Sequence, residues 1–86
     1  MDSIYFPEAQ NINVFENNIL KQNVSKKTKV YASFPNESDW KTKIFSGIIE
    51  TTKDDYVVLS DPSNGNWYMI PIKYVDYIEF EEKINI

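Results

Sequence analysis

Eighty-six residues make one domain with a single small core. The chain has no cysteine and no histidine, which excludes disulfides, thiol nucleophiles and thiolate metal sites, and removes the commonest general base and metal ligand. Every basic residue is a lysine and the net charge is −4, so bidentate recognition of phosphate or guanine is excluded and general nucleic-acid binding is disfavoured.

In chain order, residues 1–12 read as an N-terminal arm: Ile4, Tyr5 and Phe6 are apolar, Pro7 comes next, and no period is evident. Residues 13–22 read as a short helix. Asn13 is placed to cap it with Glu16 three residues on, and Phe15 and Ile19 share a face with Leu20 beside them. So short a helix is unstable alone and has to pack on the sheet formed by the later residues.

The period then changes to two. A first strand over about 28–34 puts Val30, Ala32 and Phe34 on one face. The segment 35–39 is rich in turn formers. A long strand over about 41–52 carries Gly47 near its middle, where a bend or bulge is expected, with Phe45, Gly47 and Ile49 on the concave face. The next strand, about 56–60, turns Val57 and Leu59 inward. Asn64-Gly65 then signals a hairpin. The strand over about 66–72 turns Tyr68, Ile70 and Ile72 inward, and Pro71 places it near a sheet edge because proline lacks a backbone donor. Lys73-Tyr74-Val75 reads as a tight turn, and a last strand over about 76–81 turns Ile78 and Phe80 inward. The expected fold is mainly β: a small five-stranded antiparallel SH3-like or Sm-like barrel preceded by one short α-helix, forming a single domain over residues 13–86. An OB-type barrel and an open meander are the alternatives.

Residues able to do chemistry are few. Asp54-Asp55 and Asp61 fall in predicted turns, where aspartate is favoured for backbone reasons. Neighbouring carboxylates in a strand point to opposite faces, so Glu81-Glu82 is no natural acid–base couple. No carboxylate loop spaced for a metal, no glycine-rich phosphate loop and no base for a hydroxyl nucleophile occurs. No catalytic, cofactor-binding or metal-binding residue is therefore expected, and the chain is expected not to be an enzyme. By contrast, alternation puts Ile44, Ile48, Tyr56, Val58, Trp67 and Met69 on the outer face. That is more apolar surface than casual exposure explains. Either the helix covers part of it through Phe15 and Ile19, or it is a protein–protein contact anchored by Trp67 and Tyr56.

The ordered wording Glu16-Asn17-Asn18-Ile19-Leu20, Val30-Tyr31 with Phe34, Asn36-Glu37-Ser38-Asp39-Trp40, Lys43-Ile44-Phe45-Ser46-Gly47-Ile48-Ile49-Glu50, Ser60-Asp61-Pro62, Gly65, Tyr68, Tyr74-Val75-Asp76-Tyr77 and Phe80-Glu81-Glu82 resembles the spore coat protein GerQ family of endospore formers. The resemblance implies a coat component, made in the mother-cell cytoplasm and deposited on the developing spore. It implies support of germination by holding a CwlJ-type cortex-lytic hydrolase or other coat proteins, and service as a transglutaminase substrate. Family members usually carry a longer glutamine-rich tail with lysines before the domain. Residues 1–12 hold no lysine, so Gln10, Gln22, Lys21, Lys26 and Lys27 are the candidate cross-linking positions. No secretion signal and no membrane-length apolar run is visible, in keeping with a chain kept inside a cytoplasm until deposition. Self-association into a homo-oligomer is a further use open to the outer face. The rival reading, on fold analogy, is an Sm-like nucleic-acid-binding or SH3-like peptide-binding module, for which Tyr31, Trp40 and Tyr74 are the candidate aromatics.

Overall fold

The computed structural model describes residues 2–5, 19–35, 39–53 and 55–85. Their elements are β1 (Asp2–Tyr5), the end of a helix α1 (19–22), β2 (Lys27–Pro35), β3 (Trp40–Thr52), β4 (Tyr56–Asp61), β5 (Asn66–Pro71), a single 3₁₀ turn (Ile72–Tyr74) and β6 (Val75–Phe80). The strands form one sheet in the order β1-β6-β2-β3-β4-β5, and all neighbours are antiparallel. The mainly β antiparallel fold with a short preceding helix is thus as expected. The ladder is open, since β1 and β5 end it without pairing to each other. Within the residues expected as an arm, Asp2–Tyr5 add a sixth strand along β6. The proposed cap Asn13 and the helical residue Phe15 lie outside the described residues.

With no second sheet among the described residues, the one sheet still buries most of one face. Val30, Ile49, Val57, Leu59, Ile70, Ile78 and Phe80, from five different strands, join Ala32, Ile72, Val75 and Leu20 in a single core cluster. A flat sheet would leave that face wet, so the sheet has to wrap around it. The wrapping has identifiable causes. Residues Trp40–Gly47 of β3 pair with β2 alone, whereas β4 takes over from Ile48 onward. At the changeover Gly47 lies so close to β4 that a Cβ there would come within 2.6 Å of the Ser60 carbonyl oxygen. Thr28, fully buried opposite it, donates its hydroxyl to the Gly47 carbonyl at 3.1 Å. Two bulges add twist. Glu50 is the extra residue between Ile49 and Thr51 in the β3–β4 ladder, which is why Glu50 and Thr51 are both exposed before Thr52 turns back inward. Asp76 is the extra residue in the β2–β6 ladder, and Ser33 donates to its carboxylate at 2.5 Å.

Helix α1 caps the core from one end. Leu20 is fully buried, and three residues later so is Asn23. Its amide donates to the Ile19 carbonyl at 2.7 Å and to the Asn85 carbonyl at 2.8 Å, while its Oδ1 accepts the Asn85 N–H at 2.8 Å. One buried side chain thereby ties the end of the helix to the C-terminal segment, every polar atom of the clamp satisfied. Ser25 then turns the chain into β2 in the left-handed region, φ 80°, and its N–H reaches the Ile49 carbonyl at 2.7 Å.

The β4–β5 connection obeys its turn chemistry. Gly65 takes φ 75° and donates to the Asp61 carbonyl, and the Asp61 carboxylate accepts from the Ser63 N–H and hydroxyl. Pro71 lies on β5, the edge strand, as its missing donor requires.

The close approach at Gly47 generates the first prediction. Gly47→Ala forces β3 away from backbone atoms of β4 and lowers the urea unfolding midpoint, with a loss of about 1–3 kcal/mol. An unchanged midpoint would show that the bend does not depend on the missing Cβ.

Candidate functional site

The outer face is divided in two by the same bend. On β3–β5, cross-strand register sets Ile48 opposite Ser60, which is opposite Trp67; the next row sets Val58 opposite Met69, and the third sets Tyr56 opposite Pro71. Four of the six apolar positions singled out from sequence, Tyr56, Val58, Trp67 and Met69, therefore form one patch on β4–β5, and Ile48 of β3 flanks it across the polar Ser60. Trp67 and Met69 are its prominences, 64 % and 68 % exposed, while Tyr56 and Val58 on the neighbouring β4, and Ile48 on β3, are half-buried. Beside the patch a concavity of about 380 Å³ is lined by Tyr56, Met69 and Pro71, with Asp55 and Lys73 at its polar margin. Its floor is apolar and it opens beside β5, a strand with no neighbour on its outer side among the described strands.

Ile44 lies elsewhere. It is exposed, but it precedes Gly47 and pairs with Tyr31 of β2. Its row runs Tyr77–Tyr31–Ile44 across β6, β2 and β3. Tyr31 and Tyr77 stack with centroids 4.3 Å apart and ring planes 14° from parallel. The Tyr31 hydroxyl reaches the Glu79 carboxylate at 3.5 Å. Partial burial, with the neighbouring Glu79 charge as the second cause, raises the Tyr31 phenol above its ordinary value of 10.0. The structure thus brings together Tyr56, Val58, Trp67 and Met69, leaves Ile48 at their flank across Ser60, and sets Ile44 in a separate, tyrosine-rich surface. Sequence reasoning misses that second surface. Its signal is the alternation of Tyr31 and Tyr77 against buried Val30 and Ile78, which gives their faces but not their adjacency.

The helix does not account for the β3–β5 patch through any described contact. Leu20, its buried residue, belongs to the core on the inner side. Of the candidate cross-linking residues, Lys21, Gln22 and Lys27 are exposed. Lys26 is engaged, 4.0 Å from Glu82 and donating to the Lys83 carbonyl at 2.9 Å. Gln10 lies outside the described residues. Four carboxylates have structural partners: Asp61 holds its turn, Asp76 accepts from Ser33, Glu79 from Tyr31, and Glu82 from the Lys27 N–H at 2.9 Å. Among the described residues no cluster of three or more potential metal ligands occurs, and no helix is long and apolar enough to cross a membrane.

Comparison with known proteins bears on this arrangement. A family model described as spore coat protein (Spore_GerQ) matches residues 12–86. Spore coat protein GerQ of Bacillus subtilis (strain 168) is 42% identical over 67 residues, which cover 78% of this chain and 37% of that protein. The chain spans little more than a third of the relative's length.

Two measurements probe the two surfaces. Trp67→Ala is expected to weaken association with partner proteins, or of the chain with itself, while moving stability by no more than about 0.5 kcal/mol, the range of ordinary surface substitutions. Unchanged association would remove the patch as a contact. In a spectrophotometric titration, Tyr31 should ionise above the ordinary tyrosine value, and Glu79→Gln should bring it down. Because the folded-state value is the higher one, the stability linked to Tyr31 is intact below 10.0 and is lost as pH rises through the raised value.

Proposed function

The chain belongs to the spore coat protein GerQ family, and from that premise we propose that it is a non-enzymatic scaffold of the spore coat that supports germination by holding a cortex-lytic cell-wall hydrolase of the CwlJ type or other coat proteins. The observation that carries this reading is the β3–β5 patch. Trp67 and Met69 stand out of a half-buried apolar bed, on an edge hairpin, beside an apolar concavity. Protein contacts concentrate their affinity in such aromatic and methionine anchors. The family match supports placement in the coat, and the proposal adds synthesis in the mother-cell cytoplasm before deposition.

The absence of histidine and cysteine supports a role without catalysis, because a protein that only holds its partner has no need of a tuned acid, base or nucleophile. Cross-linking by a transglutaminase would use exposed side chains, which Lys21, Gln22 and Lys27 provide near the end of α1. Lys26 is the poorer substrate, since modification would first have to free it from Glu82 and Lys83.

A strain lacking this chain should lose the hydrolase from its purified coats and germinate slowly when that hydrolase is required. Normal retention together with normal germination would refute the scaffold reading.

A further inference from the structure

The N-terminal half of β3 and the end of β2 extend past the point where β4 stops pairing, so beyond Phe45, which packs on Tyr68 of β5, no described strand pairs with β3 other than β2. Alternation from Phe45 places Lys43 and Lys41 on the inner face, and Lys41 sits directly across from Phe34. Phe34, Pro35 and Phe45 make an apolar floor with Lys41 and Lys43 along it, enclosing a concavity of about 340 Å³. This is an unusual use of an inner face. Two ammonium groups stand where the core would otherwise continue, and neither has an ion pair among the described residues, in a chain with thirteen acidic residues.

We propose that this mouth is a docking groove for an acidic linear segment of a partner protein, carrying an apolar side chain as its anchor. The inference concerns a different surface from the β3–β5 patch and does not depend on the scaffold reading. Complementarity decides the occupant: the floor takes an apolar side chain, and the free lysines take carboxylates on either side of it. Single-stranded nucleic acid fits less well. Bases stack on open aromatic faces, but here Phe34 meets Phe45 edge-on at 88° and Tyr74 at 60°, and the Lys73 ammonium covers the Tyr74 ring at 5.1 Å. The chain also lacks the arginines that hold phosphates in bidentate fashion.

The test is calorimetric titration of the whole chain with a short synthetic peptide of glutamates flanking one phenylalanine. Its glutamine counterpart and a short oligothymidylate serve as comparison probes. The acidic peptide should bind, should bind more weakly as salt is raised, and should bind about tenfold more weakly to Lys41→Glu/Lys43→Glu. Both lysines are exposed, so the variant should retain its circular dichroism and unfolding midpoint. Lys41→Gln/Lys43→Gln gives the same readout, at smaller amplitude, should charge reversal disturb the fold. No binding, equal binding of the glutamine peptide, or equal binding by the lysine variants would overturn the proposal. Tighter binding of the oligothymidylate would overturn it in favour of a nucleic-acid groove.

Discussion

The rest of the architecture depends on one close approach: β3 passing over β4 at Gly47 with no room for a side chain. A thirteen-residue strand is too long to pair along its length with a single short neighbour. By bending at Gly47 it serves β2 with its first part and β4 with its second, and one strand becomes the corner of the sheet. The buried hydrogen bond from Thr28 fixes the position of that corner, and the bulge at Glu50 tightens the twist just beyond it. Without the corner, a single sheet has no means to cover Ile49, Leu59 and Ile78 from both sides.

The corner also divides the surfaces. The patch around Trp67 lies on the outside, beyond the bend, and the lysine-flanked mouth lies on the inside, before it. Between them a chain of partly buried aromatics, Tyr74, Phe34, Phe45 and Tyr68, with centroid separations of 5.3, 6.2 and 5.1 Å, closes the core toward the mouth. The two proposed contact surfaces therefore lie on opposite sides of the sheet, where two different partners would not compete for the same strands.

Period-two alternation makes the core legible. Val30, Ala32, Ile49, Val57, Leu59, Ile70, Ile72, Ile78 and Phe80 all point inward by sequence, and all are buried. Glycine inside a strand marks the corner, and Pro71 marks the edge. Alternation fails where the ladder slips. The insertion at Asp76 shifts the phase of β6 against β2, so Val75, expected in a turn, is instead a buried first residue of the strand. Strand β1 is not legible because Asp2–Tyr5 is too short to show a period, and its pairing with β6 joins residues from opposite ends of the chain. The candidate site is readable as a set of outward residues but not as a surface. Ile44 and Ile48 are on the same face of one strand, yet the bend between them sends them to different neighbours. No local pattern announces the mouth, since Lys41 and Lys43 look like solvent-facing residues until their shared face with Phe45 is known.

The clamp between Asn23 and Asn85 spans sixty-two positions. During synthesis the helix leaves the ribosome early, but the partner that fixes its end is made only after every strand. A short helix holds poorly by itself in water, and contacts between chain-distant residues form late because the intervening loop must first be closed. An element made early is therefore fastened last, and a nascent chain interrupted before residue 85 lacks one half of the clamp and holds the helix end only through Leu20 in the core and the Ser25–Ile49 hydrogen bond.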